Sequence, residues 1–153
     1  MEKIKAFLKR KNIIISAKRY GIDALGAMAQ GLFASLLIGT IISTIGEQAG
    51  IQLLVDIGGY AKAATGPAMA ISIGFALQCP PLVLFSLAAV GVAANTLGGA
   101  GGPLAVLIVT IFAAEFGKVV SKETKIDIIV TPFIGAGLSL SLIHISEPTR
   151  QAE

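Results

Sequence analysis

The feature that most constrains this chain is a run of 52 residues, 63–114, without one charged side chain. As a continuous α-helix, at about 1.5 Å per residue, the run would be roughly 78 Å long. The hydrocarbon core of a bilayer is about 30 Å thick, so the run is long enough to cross it at least twice. A second charge-free run, residues 24–46, predicts another crossing. The sequence therefore predicts an all-α fold, a polytopic bundle of transmembrane helices.

Composition agrees with a membrane location. Charged residues make up 14% of the chain and the mean hydropathy is +0.82, whereas about 25% of a typical soluble domain is charged. The single cysteine, Cys79, excludes an intrachain disulfide and a multi-cysteine metal site. No catalytic residue, metal ligand or cofactor is predicted from the remaining pattern.

The N-terminal segment is strongly basic, with seven Lys or Arg residues and one acid among residues 1–20. Such a segment fits either nucleic-acid binding or a juxtamembrane anchor. The anchor is favoured because cytoplasmic flanks of membrane spans carry an excess of Lys and Arg. Apolar residues are interspersed among these charges, which predicts an amphipathic helix at the membrane surface: Ile4, Phe7, Leu8, Ile14 and Ile15. We therefore expect a multi-pass membrane protein with a cytoplasmic N-terminus and no nucleic-acid partner.

Residues 24–45 form the clearest predicted span, and small residues occur in it at every fourth position: Ala27, Gly31, Ser35, Gly39 and Ser43. This spacing puts them along one side of a helix, where another helix can approach the backbone closely. The stripe therefore predicts helix packing rather than ligand contact. Gln30 lies in the same span and is expected to face protein or water.

The remaining segments are predicted to be interrupted helices. Residues 46–65 are interpreted as a polar loop with a short amphipathic or re-entrant piece. Pro80 and Pro81 interrupt the long apolar run, leaving open whether their flanks form two crossings or one broken crossing. Residues 97–103 are too rich in glycine for a regular helix, and residues 104–120 form a further apolar segment.

Two of these interruptions are candidate ligand sites, because broken helices at membrane depth commonly line transporter cavities. Gln78 and Asn95 carry amides beside the breaks and suit hydroxyl-rich ligands. Glu115 fits either a ligand-binding acid or a charge paired with Lys118 at i+3. The predicted substrate-binding residues are Gln78, Asn95, Gly98, Gly99, Gly101, Gly102 and Glu115. The alternative interpretation is that both breaks are loops at the membrane surface.

The last residues form a separate segment. Residues 140–150 read LSLIHISEPTR, which resembles the in-frame translation of a transposon-based sequencing adapter. We therefore expect residues 140–153 to be a non-native tail that includes the only histidine, His144. Residues 1–139 are then expected to be the N-terminal part of a longer permease domain, with residues 126–138 opening a further span.

Three segments carry a resemblance to a known family: AKRYGIDALGAMAQGLFASLLIGTI (17–41), VDIGGYAKAATGPAMA (55–70) and LGGAGGPLAVLIVTIFAAEFGK (97–118). They resemble a bacterial membrane family identified as the IIC component of the sugar phosphotransferase system, some members of which are named as toxin-regulator membrane proteins. The glycine-rich string at 97–103 is the most distinctive part. The resemblance covers most of residues 1–139.

The resemblance implies a sugar permease that works by alternating access. Its implied partners are a sugar, cytoplasmic phospho-carrier subunits of the IIA and IIB type, the lipid bilayer and a second copy in a homodimer. Phosphoryl transfer would be carried by those subunits, so the chain itself is not expected to be an enzyme. The alternatives are a membrane-embedded regulatory protein without transport activity and a small pore-forming protein.

Overall fold

The computed structural model describes residues 1–10, 16–121 and Gly137, and every secondary-structure element in this part of the chain is helical. Seven α-helices are named here in chain order: α1 Glu2–Arg10, α2 Ala24–Leu32, α3 Ile38–Ala49, α4 Gln52–Ala63, α5 Thr65–Ala76, α6 Pro81–Leu97 and α7 Gly102–Val120. The predicted all-α fold is confirmed, and the predicted basic N-terminal helix is α1. Ile14, Ile15 and the predicted segments 126–138 and 140–153 lie outside the described residues, apart from Gly137.

A long helix, Lys18–Ala49, includes both α2 and α3. Two π-helical segments, Lys18–Asp23 and Phe33–Leu37, are inserted in it. Short π segments within α-helices are often found at functional sites. The helix ends where Gly50 takes a left-handed conformation, with φ of 68°, as glycine does without steric cost.

The chain then returns antiparallel to the long helix in two consecutive helices. First α4 packs against α3, and then α5 packs against α2, with only Ala64 between α4 and α5. Residues 46–65 were predicted to be a polar loop with a short amphipathic or re-entrant piece, and the loop prediction was wrong because α4 occupies Gln52–Ala63. The face of α4 that contacts α3 consists of the half-buried Leu54 and Val55 and the buried Gly58. Asp56 lies on the exposed side, and the half-buried side chain of Lys62 packs beside Gly39.

The segments on either side of Pro80 and Pro81 form a hairpin of two helices packed side by side. Gly66, near the start of α5, meets Gly91, near the end of α6. Gly74, near the end of α5, meets Leu87. The two helices are therefore an antiparallel pair and not consecutive halves of one broken helix.

A second turn, at the glycine-rich string, joins α6 to α7. Only Gly99–Gly101 leaves the α-helical path, as a 3₁₀ turn, and α7 begins at Gly102. Gly117 near the end of α7 packs against Val83 near the start of α6. The apolar core lies where α5, α6 and α7 meet α2, around Met69, Ile73, Leu87, Val90 and Val106.

The predicted small-residue stripe is buried along its whole length. A methyl group added at Gly31 would lie 2.5 Å from the Ala68 carbonyl oxygen, and one at Gly39 would lie 2.8 Å from the Gly58 carbonyl oxygen. The long helix therefore uses the stripe to contact the backbones of α5 and α4, as predicted.

Two helices in the described part of the chain are long and apolar enough to cross a membrane, Lys18–Ala49 and Gly99–Val120. The helices α5 and α6 are apolar but shorter. Large apolar side chains on the outside of the bundle, such as Phe33, Ile45, Phe85 and Leu104, are exposed. An outer surface of this composition suits lipid rather than water.

Candidate ligand groove and charged cluster

A groove with a volume of about 480 Å³ lies between α5 and the first half of the long helix. Its lining consists of Asp23, Gly26, Ala27, Gln30, Ile71, Ser72, Phe75 and Ala76. The volume is in the range of about 300–1,000 Å³ that is typical of small-molecule sites. The groove is therefore large enough for a small ligand.

The sequence of the long helix creates this groove. Asp23, Gly26 and Gln30 follow each other at intervals of three and four residues, which puts them on one face of the helix. Nothing lies within 4 Å of the place that a Cβ atom would occupy at Gly26. The missing side chain at Gly26 therefore leaves the space between the carboxylate and the amide open.

The groove combines hydrogen-bonding groups with an aromatic ring. The carboxylate of Asp23 accepts hydrogen bonds, while the Gln30 amide and the Ser72 hydroxyl both donate and accept. The side chain of Phe75, on the opposite wall, is 76% exposed. This combination suits an uncharged ligand that carries hydroxyl groups and one apolar face.

A smaller cavity of about 190 Å³ adjoins the groove and shares Asp23 and Ala76 with it. The other residues that line it are Ser16, Lys18, Arg19 and Gln78. Two cations thus lie at the end of the groove where the long helix begins. This end of the bundle also contains the turn between α5 and α6.

A charged cluster is buried at the same end. The Nη2 atom of Arg19 donates a hydrogen bond to the carbonyl oxygen of Leu77, and Lys118 Nζ donates to that oxygen at 3.1 Å. Lys118 also forms an ion pair with Glu115 at 3.1 Å. Leu77 directly follows α5, so both cations stabilise the negative C-terminal end of that helix. The cluster joins the long helix, α5 and α7 at one point.

Tyr20 and Cys79 border this cluster. Tyr20 lies beside the Glu115 carboxylate. Cys79, in the connection between α5 and α6, is a free cysteine that packs against the apolar core. Burial raises the pKa of its thiol from 9.0 to about 11. At neutral pH Cys79 is therefore a protonated, weakly nucleophilic thiol.

This protonated thiol leads to a prediction about alkylation. We expect maleimide to modify Cys79 about 100-fold more slowly at pH 7 than an ordinary thiol, because a pKa raised by two units lowers the thiolate fraction by that factor. The rate should rise about tenfold per pH unit up to pH 10 and reach ordinary values in denaturing detergent. Mass spectrometry of timed samples measures it. Rapid labelling of the folded chain at pH 7 would contradict the prediction.

The structure separates the predicted substrate-binding residues into two groups. Gln78 and Glu115 lie at the end of the bundle that holds the charged cluster. Asn95 and the glycines lie at the opposite end of α6, about 25 Å away for a helix of its 17 residues. The second group is Asn95, Gly98, Gly99, Gly101 and Gly102.

The residues of the two groups differ in their local contacts. Gln78 is exposed with φ of 57° and lines the smaller cavity. Glu115 pairs with Lys118, as one of the two alternatives predicted. A Cβ at Gly102 would lie 2.7 Å from the side-chain oxygen of Asn95, so the two residues pack together at the turn. The role of the seven residues in substrate binding stays a prediction.

Sequence reasoning named Gln30 but missed its partners in the groove, Asp23, Ser72 and Phe75. One signal was available, since Asp23 stands seven residues before Gln30 on the same helical face. Ser72 and Phe75 gave no such signal. Their proximity depends on the antiparallel packing of α5 against α2, which a single sequence does not specify.

These features define a class of protein: a helical membrane protein with an apolar outer surface, a partly polar groove and a charged cluster at one end of the bundle. Residues 22–148 match the profile of the family described as phosphotransferase system, EIIC. The chain belongs to this family and is an integral membrane component of the sugar phosphotransferase system, as the resemblance predicted. Comparison with curated proteins and with solved structures finds no significant match. The matched range overlaps residues 140–148, whose adapter origin stays a prediction.

Proposed function

We propose that this chain forms the N-terminal part of a multi-pass permease that moves one sugar across the bacterial plasma membrane for phosphorylation by separate subunits. Residues 1–139 supply this part, and residues 140–153 are a non-native tail. Family membership supports a transport component with a sugar substrate and IIA and IIB partners. The observation that carries the finer proposal is the open groove on the surface of the apolar bundle, which Asp23, Gln30 and Ser72 supply with polar groups.

The energetic argument concerns Asp23 and Gln30, which stand in a helix long enough to span the bilayer. Charged and amide side chains at membrane depth are costly unless they face protein or water, and they commonly mark substrate pathways. Neither residue donates or accepts a hydrogen bond with another described side chain in the groove. A ligand or water inside a closed permease would satisfy them.

In the proposed mechanism, the membrane component and the phospho-carrier subunits carry out different steps. The membrane component binds the sugar, changes its access from the outer to the inner face, and presents it there to a phosphorylated partner. A buried, protonated Cys79 does not suit a phosphoryl acceptor, which agrees with phosphoryl transfer by the partner subunits. The chain thus supplies binding and translocation and not the chemical step.

The orientation is proposed from charge. The cations Lys18 and Arg19 stand at one end of the bundle, and the basic helix α1 precedes them in the chain. The positive-inside rule assigns this end to the cytoplasm. The charged cluster and the turn at Pro80 then also face the cytoplasm, on the side where phospho-carrier subunits work. A second copy forms a homodimer through surfaces that the described residues do not define.

The test is transport. The genomic reading frame that encodes residues 1–139 is expressed with IIA and IIB partners, and inside-out controls accompany right-side-out vesicles loaded with phosphoenolpyruvate. We expect accumulation of one labelled sugar as its phosphate, and none when phosphoenolpyruvate or the frame is omitted. Membrane insertion without accumulation of any sugar from a broad panel would contradict transport and favour the regulatory alternative.

A further inference from the structure

We propose that the groove between α2 and α5 is the sugar-contacting subsite of this half of the permease and takes one uncharged monosaccharide or sugar alcohol. This inference rests on the proposed function. It assigns the subsite to Asp23, Gln30, Ser72 and Phe75, none of which belongs to the site predicted from sequence. It commits to a sugar as occupant, rather than to lipid or to another segment of the protein.

The spacing of the polar groups fits such a ligand. Asp23 and Gln30 are seven residues apart, which is about 10 Å along the helix axis. Asp23 and Ala76 form one end of the groove, next to the smaller cavity. Ser72 approaches from the facing helix. A ring of monosaccharide size therefore meets hydrogen-bonding groups at both ends and on one side.

The chemistry of the lining selects for hydroxyl donors. A carboxylate oxygen accepts hydrogen bonds, so Asp23 would pair with the hydroxyl hydrogens of a ligand. Hydrogen bonds to a charged group are stronger than those between neutral groups. Gln30 and Ser72 can complete the pattern as donors or acceptors. Lys18 and Arg19 line the adjoining cavity and not the groove, so among the described residues that line the groove there is no cation for a charged sugar.

Phe75 supplies the remaining element of carbohydrate recognition. A sugar ring has an apolar face of C–H groups, and an exposed phenyl ring offers a flat apolar surface for it. At 76% exposure Phe75 has room for a ligand above its ring. The groove thus has an aromatic ring on one wall and a carboxylate on the other, a combination that a sugar with one apolar face can use.

A steric variant tests the assignment with little risk to folding. Gly26→Leu places a side chain in the open space of the groove, whereas Gly59→Leu places the same side chain in open space on α4. Leucine is a better helix former than glycine, so both variants should insert and fold. We expect Gly26→Leu to lower phosphoenolpyruvate-dependent uptake at least about tenfold and Gly59→Leu to leave it unchanged.

Polar variants test the recognition chemistry with matched controls. Asp23→Asn and Gln30→Leu should each raise the KM for the transported sugar about tenfold, because a site that pairs with hydroxyls loses a partner. The controls are Asp56→Asn and Gln52→Leu, at positions that pair with each other on exposed α4. These controls should leave KM unchanged. Blotting of membranes measures the abundance of each variant.

A fluorescence readout reports binding without transport. The chain contains no tryptophan, so Phe75→Trp introduces a single indole into the groove. Phe85→Trp is the control, at an exposed position on α6. In nanodiscs, the sugar found by the uptake assay should change the emission of the Phe75→Trp protein with a saturable dependence. The Phe85→Trp protein should not respond.

The outcomes separate the subsite from the function. If the unmodified protein transports a sugar while Gly26→Leu, Asp23→Asn and Phe75→Trp all behave like their controls, the groove assignment is overturned and the function stands. If the unmodified protein transports no sugar, the proposed transport function is contradicted, and the subsite assignment that rests on it is contradicted as well. Loss of membrane abundance in Gly26→Leu, with none in Gly59→Leu, would also overturn the assignment, because the groove would then be a packing surface for protein.

Discussion

Gly91→Ala is expected to lower the free energy of unfolding by about 2–3 kcal/mol, although it adds a single methyl group. That methyl would overlap the carbonyl oxygen of Gly66 and lie 2.7 Å from its carbonyl carbon and 2.8 Å from Ala70 Cβ. The first two of these atoms belong to the backbone of α5. They cannot rotate away as a flexible side chain would, so the helices must separate and lose contacts on both sides.

Titration with SDS in mixed micelles, followed by far-UV circular dichroism, measures this change. The matched control is Gly59→Ala, a helical glycine with nothing within 4 Å of the added methyl. It should gain up to about 1 kcal/mol, because alanine favours the helix over glycine. Equal effects of the two variants would mean that α5 and α6 do not cross at Gly66 and Gly91.

Lys118→Met is expected to cost about 3 kcal/mol of stability, at the lower end of the range for breaking a buried ion pair. The Lys118 side chain is 1% exposed and that of Glu115 is 17% exposed. Removing the ammonium leaves the carboxylate without its cation in a poorly solvated place. It also removes one of the two cations that hydrogen-bond to the carbonyl oxygen of Leu77.

The double variant Lys118→Met with Glu115→Leu separates charge from packing. It should be clearly more stable than Lys118→Met alone, because no unpaired charge is left in the cluster. Lys9→Met, on an exposed position of α1, should change stability by less than about 0.5 kcal/mol. The same detergent titration applies. A single variant as stable as the unmodified chain would mean that Lys118 reaches water and is not buried.

Much of the fold was predictable from the sequence. Charge-free segments long enough to cross a bilayer indicate membrane helices, and proline and glycine mark where helices end. The absence of charge over residues 63–114 indicated membrane helices, and the breaks at Pro80 and at the glycine string coincide with the ends of α5 and α6. The stripe from Ala27 to Ser43 correctly predicted the packing face of the long helix. These signals depend only on the spacing of residues along one segment.

The helix α4 and the groove were not predictable in the same way. Asp56 and Lys62 made residues 46–65 look like a loop, but helix formation there is stabilised by contact with α3, a tertiary effect that outweighs local polarity. The groove requires that Ser72 and Phe75 lie opposite Gln30 and Asp23. That pairing depends on how α5 packs against α2, and the pattern of a single sequence does not specify which residues of two packed helices face each other.

The contact between Gly66 and Gly91 also limits how this protein can move. With two backbones touching, a slide of α5 along α6 by one turn, about 5.4 Å, would set Gly66 against Leu87 or Asn95, whose side chains occupy the space that a glycine leaves. The same holds for Gly39 against Gly58 in the other hairpin. Steric contact between the glycine backbones therefore keeps each pair of helices in one register. In the proposed permease, we therefore expect a change of access to move each of these helix pairs as a rigid unit.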